Sequence, residues 1–174
     1  MEDWVFDLTV FDDGGGPSLY AGGKFTVSPA GDSFVARWGC PVPPITSLPG
    51  CAGNPATLEA LASSAPLGAP LPLLITGSAA TSGVGLLYFG APGFDASGCG
   101  LVLPGLGELM LALSPTPIEI ASGVLATGVC PLAPSVPSFP ALIGYKAHLQ
   151  AAAVHLVAPV FVEPTNALAV TLGP

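Results

Sequence analysis

The stretch Gly144-Tyr145-Lys146-Ala147-His148-Leu149-Gln150-Ala151-Ala152-Ala153-Val154 is the one place in this chain where a helix competes seriously with a strand. Ala and Leu favour helix. Yet Tyr145, Ala147, Leu149 and Ala151 alternate with Lys146, His148 and Gln150, which is the period of a half-buried strand. The strand reading agrees with the rest of the composition. The 174 residues include 23 Gly and 21 Pro against only 11 acids and three bases. A helical domain needs charged faces and runs free of Gly and Pro. Here turn-formers punctuate short apolar runs, as in an all-β sandwich or barrel.

On either side of this stretch, further runs read as strands, and together they cover 57–63, 71–77, 84–89, 100–103, 108–113, 118–120, 124–127, 143–157, 160–162 and 167–172. They predict one β-sandwich, Ig-like or jelly-roll-like, over 57–174. Many runs are almost wholly apolar, which implies burial on both faces or a sticky outer face. Residues 40–56 are rich in Pro and Cys and read as a linker. Residues 1–39 differ, with both Trp, six of the eleven acids and two of the three bases. Runs at 5–11, 18–25 and 34–38, parted by turn sequences such as Asp12-Asp13-Gly14-Gly15-Gly16-Pro17, predict a three-stranded meander. Such a meander cannot bury both faces alone. It must dock on the sandwich, stay loosely ordered, or pair with a second copy through its open edges. The expectation is a dimer or higher assembly through residues 1–39.

Leu19-Tyr20-Ala21-Gly22-Gly23-Lys24-Phe25 and Ala36-Arg37-Trp38 give the first block a resemblance to one repeat of the bacterial extracellular β-propeller repeats. A propeller needs several blades, so the resemblance implies a longer parent with its propeller upstream. The second block carries TLEALASSAPLGAPLPLLITGSAATSGVGLLYFGAPG, GCGLVL, FPALIGYKAHLQAAAV and PTNALAVTLG. It resembles the C-terminal module of large secreted proteins from planctomycete-like bacteria. The resemblance implies a role in attachment, sorting or stabilisation, and brings no catalytic residues with it.

The formal charge of −8 argues against nucleic acid and anionic lipid as partners, because both need a basic surface. The longest apolar stretch, 147–161, is interrupted by His148, Gln150, His155 and Pro159, so membrane insertion is not expected. Met1-Glu2-Asp3-Trp4 has neither a basic nor an apolar leader region; the expectation is a removed export signal or a fragment of a longer protein. Cys40, Cys51, Cys99 and Cys130 are even in number and form no CxxC, which fits disulfides in an oxidising compartment better than zinc. Three connectivities are open; the expected pairs are Cys40–Cys51, closing the linker, and Cys99–Cys130.

No P-loop, GxGxxG, HExxH or GxSxG motif occurs, and no cofactor is expected. His148 and His155 are seven residues apart, which puts them on opposite faces of a regular strand but on one face of a helix. Asp12 and Asp13 are the candidates for a cation in a Gly-rich turn, although a solvated turn explains them as well. Glu59, Asp95, Glu108, Glu119 and Glu163 are the acids of the second block. A pair drawn from Glu108, Glu119 and Glu163 could serve glycoside hydrolysis if a cleft raised one pKa. Trp4, Tyr20 and Trp38 could form a sugar-stacking face, or the packing core of a blade.

These readings favour a non-enzymatic C-terminal module of a secreted or cell-surface protein, used for attachment, sorting or assembly. Its partners would be further copies and a polysaccharide or cell-envelope component. A small glycosidase-like hydrolase and a carbohydrate-binding module are the competing readings.

Overall fold

Lys146–His155 is a strand in the computed structural model of the chain, which describes residues 4–12, 17–25, 34–38 and 45–173. In chain-order numbering it is β13. Ala147, Leu149, Ala151, Ala153 and His155 are buried, while Lys146 is exposed and His148, Ala152 and Val154 are only partly covered. The alternation therefore outweighs the helix propensity of three successive alanines, because only a strand buries one residue in two.

The chain forms two compact units, Met1–Val42 and Pro43–Pro174. In the first, β1 (Trp4–Asp12), β2 (Pro17–Lys24) and β3 (Val35–Trp38) make an antiparallel meander in that order. Ala21 stands opposite Leu8 on one side and Ala36 on the other. Ala21, Ala36 and Phe25 are buried, but Trp4, Phe6, Leu8, Val10 and Phe11 are exposed.

The second unit is a β-sandwich with the following strands: β4 (Thr46–Leu48), β5 (Thr57–Ala60), β6 (Ala65–Pro66), β7 (Leu73–Thr76), β8 (Gly83–Gly90), β9 (Leu101–Leu103), β10 (Gly107–Leu109), β11 (Ile118–Leu125), β12 (Val129–Leu132), β13 and β14 (Phe161–Gly173). The larger sheet runs β11-β8-β13-β14-β4, and β6 pairs in parallel with the end of β14. The smaller sheet runs β12-β7-β5, and β9 and β10 form a separate hairpin. Leu58, Leu73 and Ile75 of the small sheet share one core cluster with Leu87, Leu149 and Val170 of the large one. That shared core is the physical content of the sandwich.

Several boundaries differ from the sequence reading. Thr46–Leu48, inside the Pro-rich 40–56 segment, pairs with Ala167–Ala169 at the sheet edge. β12 contains Pro131, a residue that reads as a strand breaker. It is tolerated because β12 is the edge of its sheet, where a missing N–H breaks no ladder on the outer side. The runs at 160–162 and 167–172 are one strand that passes through Pro164, beside a register shift between Gln150 and Ala152. The runs at 118–120 and 124–127 likewise merge into β11, which leads into β12 by a two-residue turn at Thr127 and Gly128.

The cysteine pairing needs correction. Cys51 is bonded to Cys99, and Cys130 is a free, buried thiol. Cys130 lies on β12 opposite Ile75 and is fully enclosed between the sheets, so the expected Cys99–Cys130 bridge does not form. Cys40 lies outside the described residues, and its expected partner Cys51 is already taken. No helix among the described residues is long and apolar enough to cross a membrane.

Candidate functional site

Three buried polar clusters stand out among the described residues of the second unit. The first is built on His155, the last residue of β13, and Glu163 near the start of β14. Antiparallel pairing of the two strands brings them together, with His155 Nε2 2.9 Å from Glu163 Oε2. Nδ1 of His155 meets the Thr81 hydroxyl. The Ser78 hydroxyl donates to Glu163 Oε1, and the Ser78 N–H donates to Oε2 at 2.9 Å. The imidazole is wholly buried and stacks on Phe161, with centroids 4.3 Å apart and planes 10° from parallel. Burial opposes ionisation of Glu163, but the two Ser78 bonds and His155 outweigh it and hold the carboxyl below its ordinary range. A carboxylate at this position assigns the Nε2 proton, which His155 donates to Glu163.

The order hydroxyl, imidazole, carboxylate is that of a nucleophile, a base and its orienting acid. Both ring nitrogens are engaged here as in such a triad, and the imidazole is wholly buried with one face on Phe161. The cluster also has a mechanical effect. It ties the loop between β7 and β8 to the β13–β14 ladder. Gly77 permits this approach, since a Cβ there would come within 2.9 Å of His155 Cε1.

The second cluster surrounds Glu108 on β10. Its side chain is fully buried, and it accepts the N–H groups of Cys51 at 2.7 Å, Ala52 at 2.8 Å and Gly100. Burial works against the charge, and the three N–H donors more than offset it, so this carboxyl also sits below its ordinary range. The same backbone segments carry the Cys51–Cys99 disulfide. One carboxylate and one covalent bond thus fasten the same two stretches of chain.

In the third cluster, side-chain amides replace peptide groups where the sheets lose register. Asn54 accepts from Glu108 N–H at 2.6 Å and donates to Glu108 O at 3.0 Å. Gln150, at the β13 register shift, accepts from Met110 N–H and donates to the carbonyls of Glu108 and Thr165. Asn166 accepts from and donates to the backbone of Leu58. Each amide offers backbone groups both N–H donors and a carbonyl acceptor, as a neighbouring strand would.

The structure sends the sequence candidates to different places. Glu108 and Glu163 belong to separate clusters, and Glu119 is exposed on β11 opposite Tyr88. Burial and the Glu119 charge push the Tyr88 hydroxyl pKa up. His148 is on the opposite face of β13 from His155, as its odd spacing implies for a strand. It packs edge-on against Phe94 at 5.6 Å, and its pKa is lowered by burial and by Lys146. Trp4 stands at one end of the β1–β2 ladder opposite Lys24. Tyr20 stands toward the other end, packed edge-on against Phe11 at 5.8 Å. Trp38 ends β3 opposite Leu19, and Asp12 ends β1 opposite Pro17. Asp13 lies outside the described residues. No group of three or more His, Cys, Asp or Glu able to hold a metal occurs among the described residues.

Sequence reasoning missed Ser78, Thr81, Asn54 and Asn166. A partial signal existed for their cluster partner: His155 shares the parity of Ala147, Leu149 and Ala151, so a strand reading turns it inward. A buried imidazole then needs polar company, but nothing in the sequence names which acid or hydroxyl supplies it. No protein-family model, no curated protein and no solved structure matches this chain.

Proposed function

We propose that this chain is a non-enzymatic module of a secreted or cell-surface protein, used for attachment, sorting or assembly. One observation carries the reading. The buried ionisable groups His155, Glu163 and Glu108 are committed to hydrogen bonds inside the second unit, and no buried side-chain N or O among the described residues lacks a partner. Catalytic acids and bases need a proton-accepting or proton-donating atom turned toward a substrate. Here His155 and Glu108 are wholly buried, and Glu108 accepts three backbone N–H groups. The Cys51–Cys99 disulfide suits an oxidising compartment, and the resemblance to a C-terminal module of secreted proteins points the same way.

The test is an exported fluorescent protein carrying this chain at its C-terminus, followed between cell envelope and medium. Retention in the envelope only when the chain is present is the expected result. Equal release with and without it rejects the reading. The runner-up is a small hydrolase, and the Thr81–His155–Glu163 order favours it over a carbohydrate-binding module. It requires turnover of chromogenic esters or glycosides that Glu163→Gln abolishes in a folded protein.

A further inference from the structure

A cavity of about 530 Å³ lies in the second unit, walled by Leu71, Phe89, Val136, Leu142, Leu149 and Leu172 among others. We propose that it binds a linear aliphatic chain, and this goes beyond the attachment reading and does not depend on it.

The volume falls within the range of small-molecule sites. No charged side chain lines it, and its only side-chain polar groups are the hydroxyls of Ser135 and Tyr145. A water molecule needs two to four polar partners, so these walls favour apolar matter over solvent.

The walls are also held in place. Val136 N–H donates to Ala69 O at 2.9 Å and Leu71 N–H to Pro134 O at 2.9 Å, which fixes the segment over the cavity to the strand-like stretch before β7. On the other side, Leu172 N–H donates to Tyr145 O at 3.0 Å, and Gly144 N–H to Leu172 O at 2.8 Å. A short 3-10 helix, Pro140–Leu142, supplies Leu142. Two rigid prolines, Pro134 and Pro137, flank Val136. A pre-formed site of this kind binds without first ordering its own walls.

The lining selects the ligand. Phe89 of β8, Ala147 and Leu149 of β13 and Val170 of β14 form the wall on the larger sheet, and Leu71 with residues 134–137 supplies another; the walls are chiefly Leu, Val, Ile and Ala. Phe89 and Tyr145 are 6.5 Å apart and tilted by 48°, so they form no parallel clamp for a planar ring. Among the wall residues Ile120, Ser135, Pro137 and Tyr145 are exposed, so solvent reaches the cavity past them. The hydroxyl of Tyr145 can then meet the polar end of the chain.

The experiment uses the full chain with decan-1-ol as the probe, followed by methyl chemical-shift mapping. The expected result is saturable one-to-one binding that moves the methyl signals of Leu149, Val170 and Leu172. Ala147→Phe, which fills the cavity, should weaken the affinity at least tenfold. Absence of saturation rejects the proposal, as do shifts centred on the exposed Val157, Val160 and Val162. The mapping decides the matter on the unmodified protein even if Ala147→Phe fails to fold. A second arm mixes the protein with phosphatidylcholine vesicles. Co-sedimentation that decan-1-ol competes away assigns a membrane-borne chain; decan-1-ol binding without co-sedimentation assigns a free one.

Discussion

Gly123 on β11 faces Gly85 on β8 across the ladder, and the Cys130 thiol of the opposite sheet occupies the gap left by their missing side chains. A Cβ at Gly85 would lie 2.7 Å from Cys130 Sγ, and one at Gly123 2.9 Å from it. Overpacking of a tight core costs about 1–3 kcal/mol, and Gly123→Ala is expected to lose that much in urea unfolding. Cys130→Ala removes one of the two side-chain atoms that the new Cβ would meet at 2.9 Å, the other being Leu132 Cδ2. The double variant should therefore be more stable than the sum of the single losses, by at least about 0.5 kcal/mol. Strict additivity would show that Leu132, rather than the thiol, sets the cost of a side chain at Gly123. Burial also pushes the Cys130 pKa up, so the native thiol should resist thiol reagents and react only on unfolding.

The disulfide and Glu108 hold the same two stretches of chain, but they fail differently. Cys51 and Cys99 are 48 residues apart in sequence, a closure that chain-entropy arguments value at about 4 kcal/mol. Cys51→Ala with Cys99→Ala should lower unfolding stability by about 2–5 kcal/mol. The Cys51, Ala52 and Gly100 amides should lose hydrogen-exchange protection in the same variant. Unchanged protection at those amides would mean that Glu108 alone fixes the segment.

The sandwich was legible because Gly and Pro spacing and the alternation at 145–151 both depend on strand geometry. β4 and β12 were not legible. Each is three or four residues long, and β12 carries a Pro whose acceptability depends on lying at an edge. Edge position is a tertiary fact. The clusters were half legible. Glu108, Glu163 and His155 stood out by chemistry, yet their partners Asn54, Ser78 and Thr81 come from distant loops and ordinary polar residues. The cysteine pairing failed because sequence separation says nothing about direction: Cys130 faces the core, whereas Cys51 and Cys99 flank the Glu108 carboxylate.

Acid should unfold the second unit through its two buried carboxylates. Glu108 and Glu163 have pKa values below the ordinary value of 4.5 in the folded protein. A depressed folded pKa means that the unfolded chain binds protons first as the pH falls. The stabilisation is complete well above the unfolded pKa and is lost as pH drops through it toward the lower folded value. Thermal melts from pH 7 to pH 2 should fall steeply below about pH 4.5. Glu108→Gln should cost about 1–3 kcal/mol at pH 7, because its amide turns a donor toward N–H donors. Its acid limb should be flatter than that of the unaltered protein. Parallel pH profiles would show that Glu108 does not drive the transition.

Thr127 has φ +50° and the following Gly128 φ +80°. The flanking Ala126 and Val129 exchange both backbone hydrogen bonds, at 2.9 and 3.0 Å. This is the turn of a two-residue hairpin in which both central residues take positive φ, and Asn-Gly suits it best. A β-branched residue is strained in that region. Thr127→Asn should raise stability by about 0.5–1 kcal/mol. A loss of stability would mean that the Thr127 hydroxyl, which donates to Ala126 O at 2.7 Å, outweighs the backbone strain.

The first unit makes the case for self-association. Phe6 is 73% exposed and Val10 70%, with Leu8 and Phe11 also open to solvent on the same strand. Burying a side chain of this size stabilises by roughly 1.5–3 kcal/mol, so covering several of them would offset the cost of pairing two molecules. β1 is an edge of its three-stranded sheet, and edge strands template pairing with another chain. A second copy meeting β1 with its own β1 gives a closed two-fold dimer, with the same residues on both sides. Light scattering of the full chain should therefore report twice the monomer mass of 17.2 kDa. Val10→Lys places a charge on this exposed strand without touching a buried residue, and it should yield a folded monomer. A monomeric unaltered protein, or a dimer that survives both Val10→Lys and Phe6→Lys, would exclude β1 as the interface.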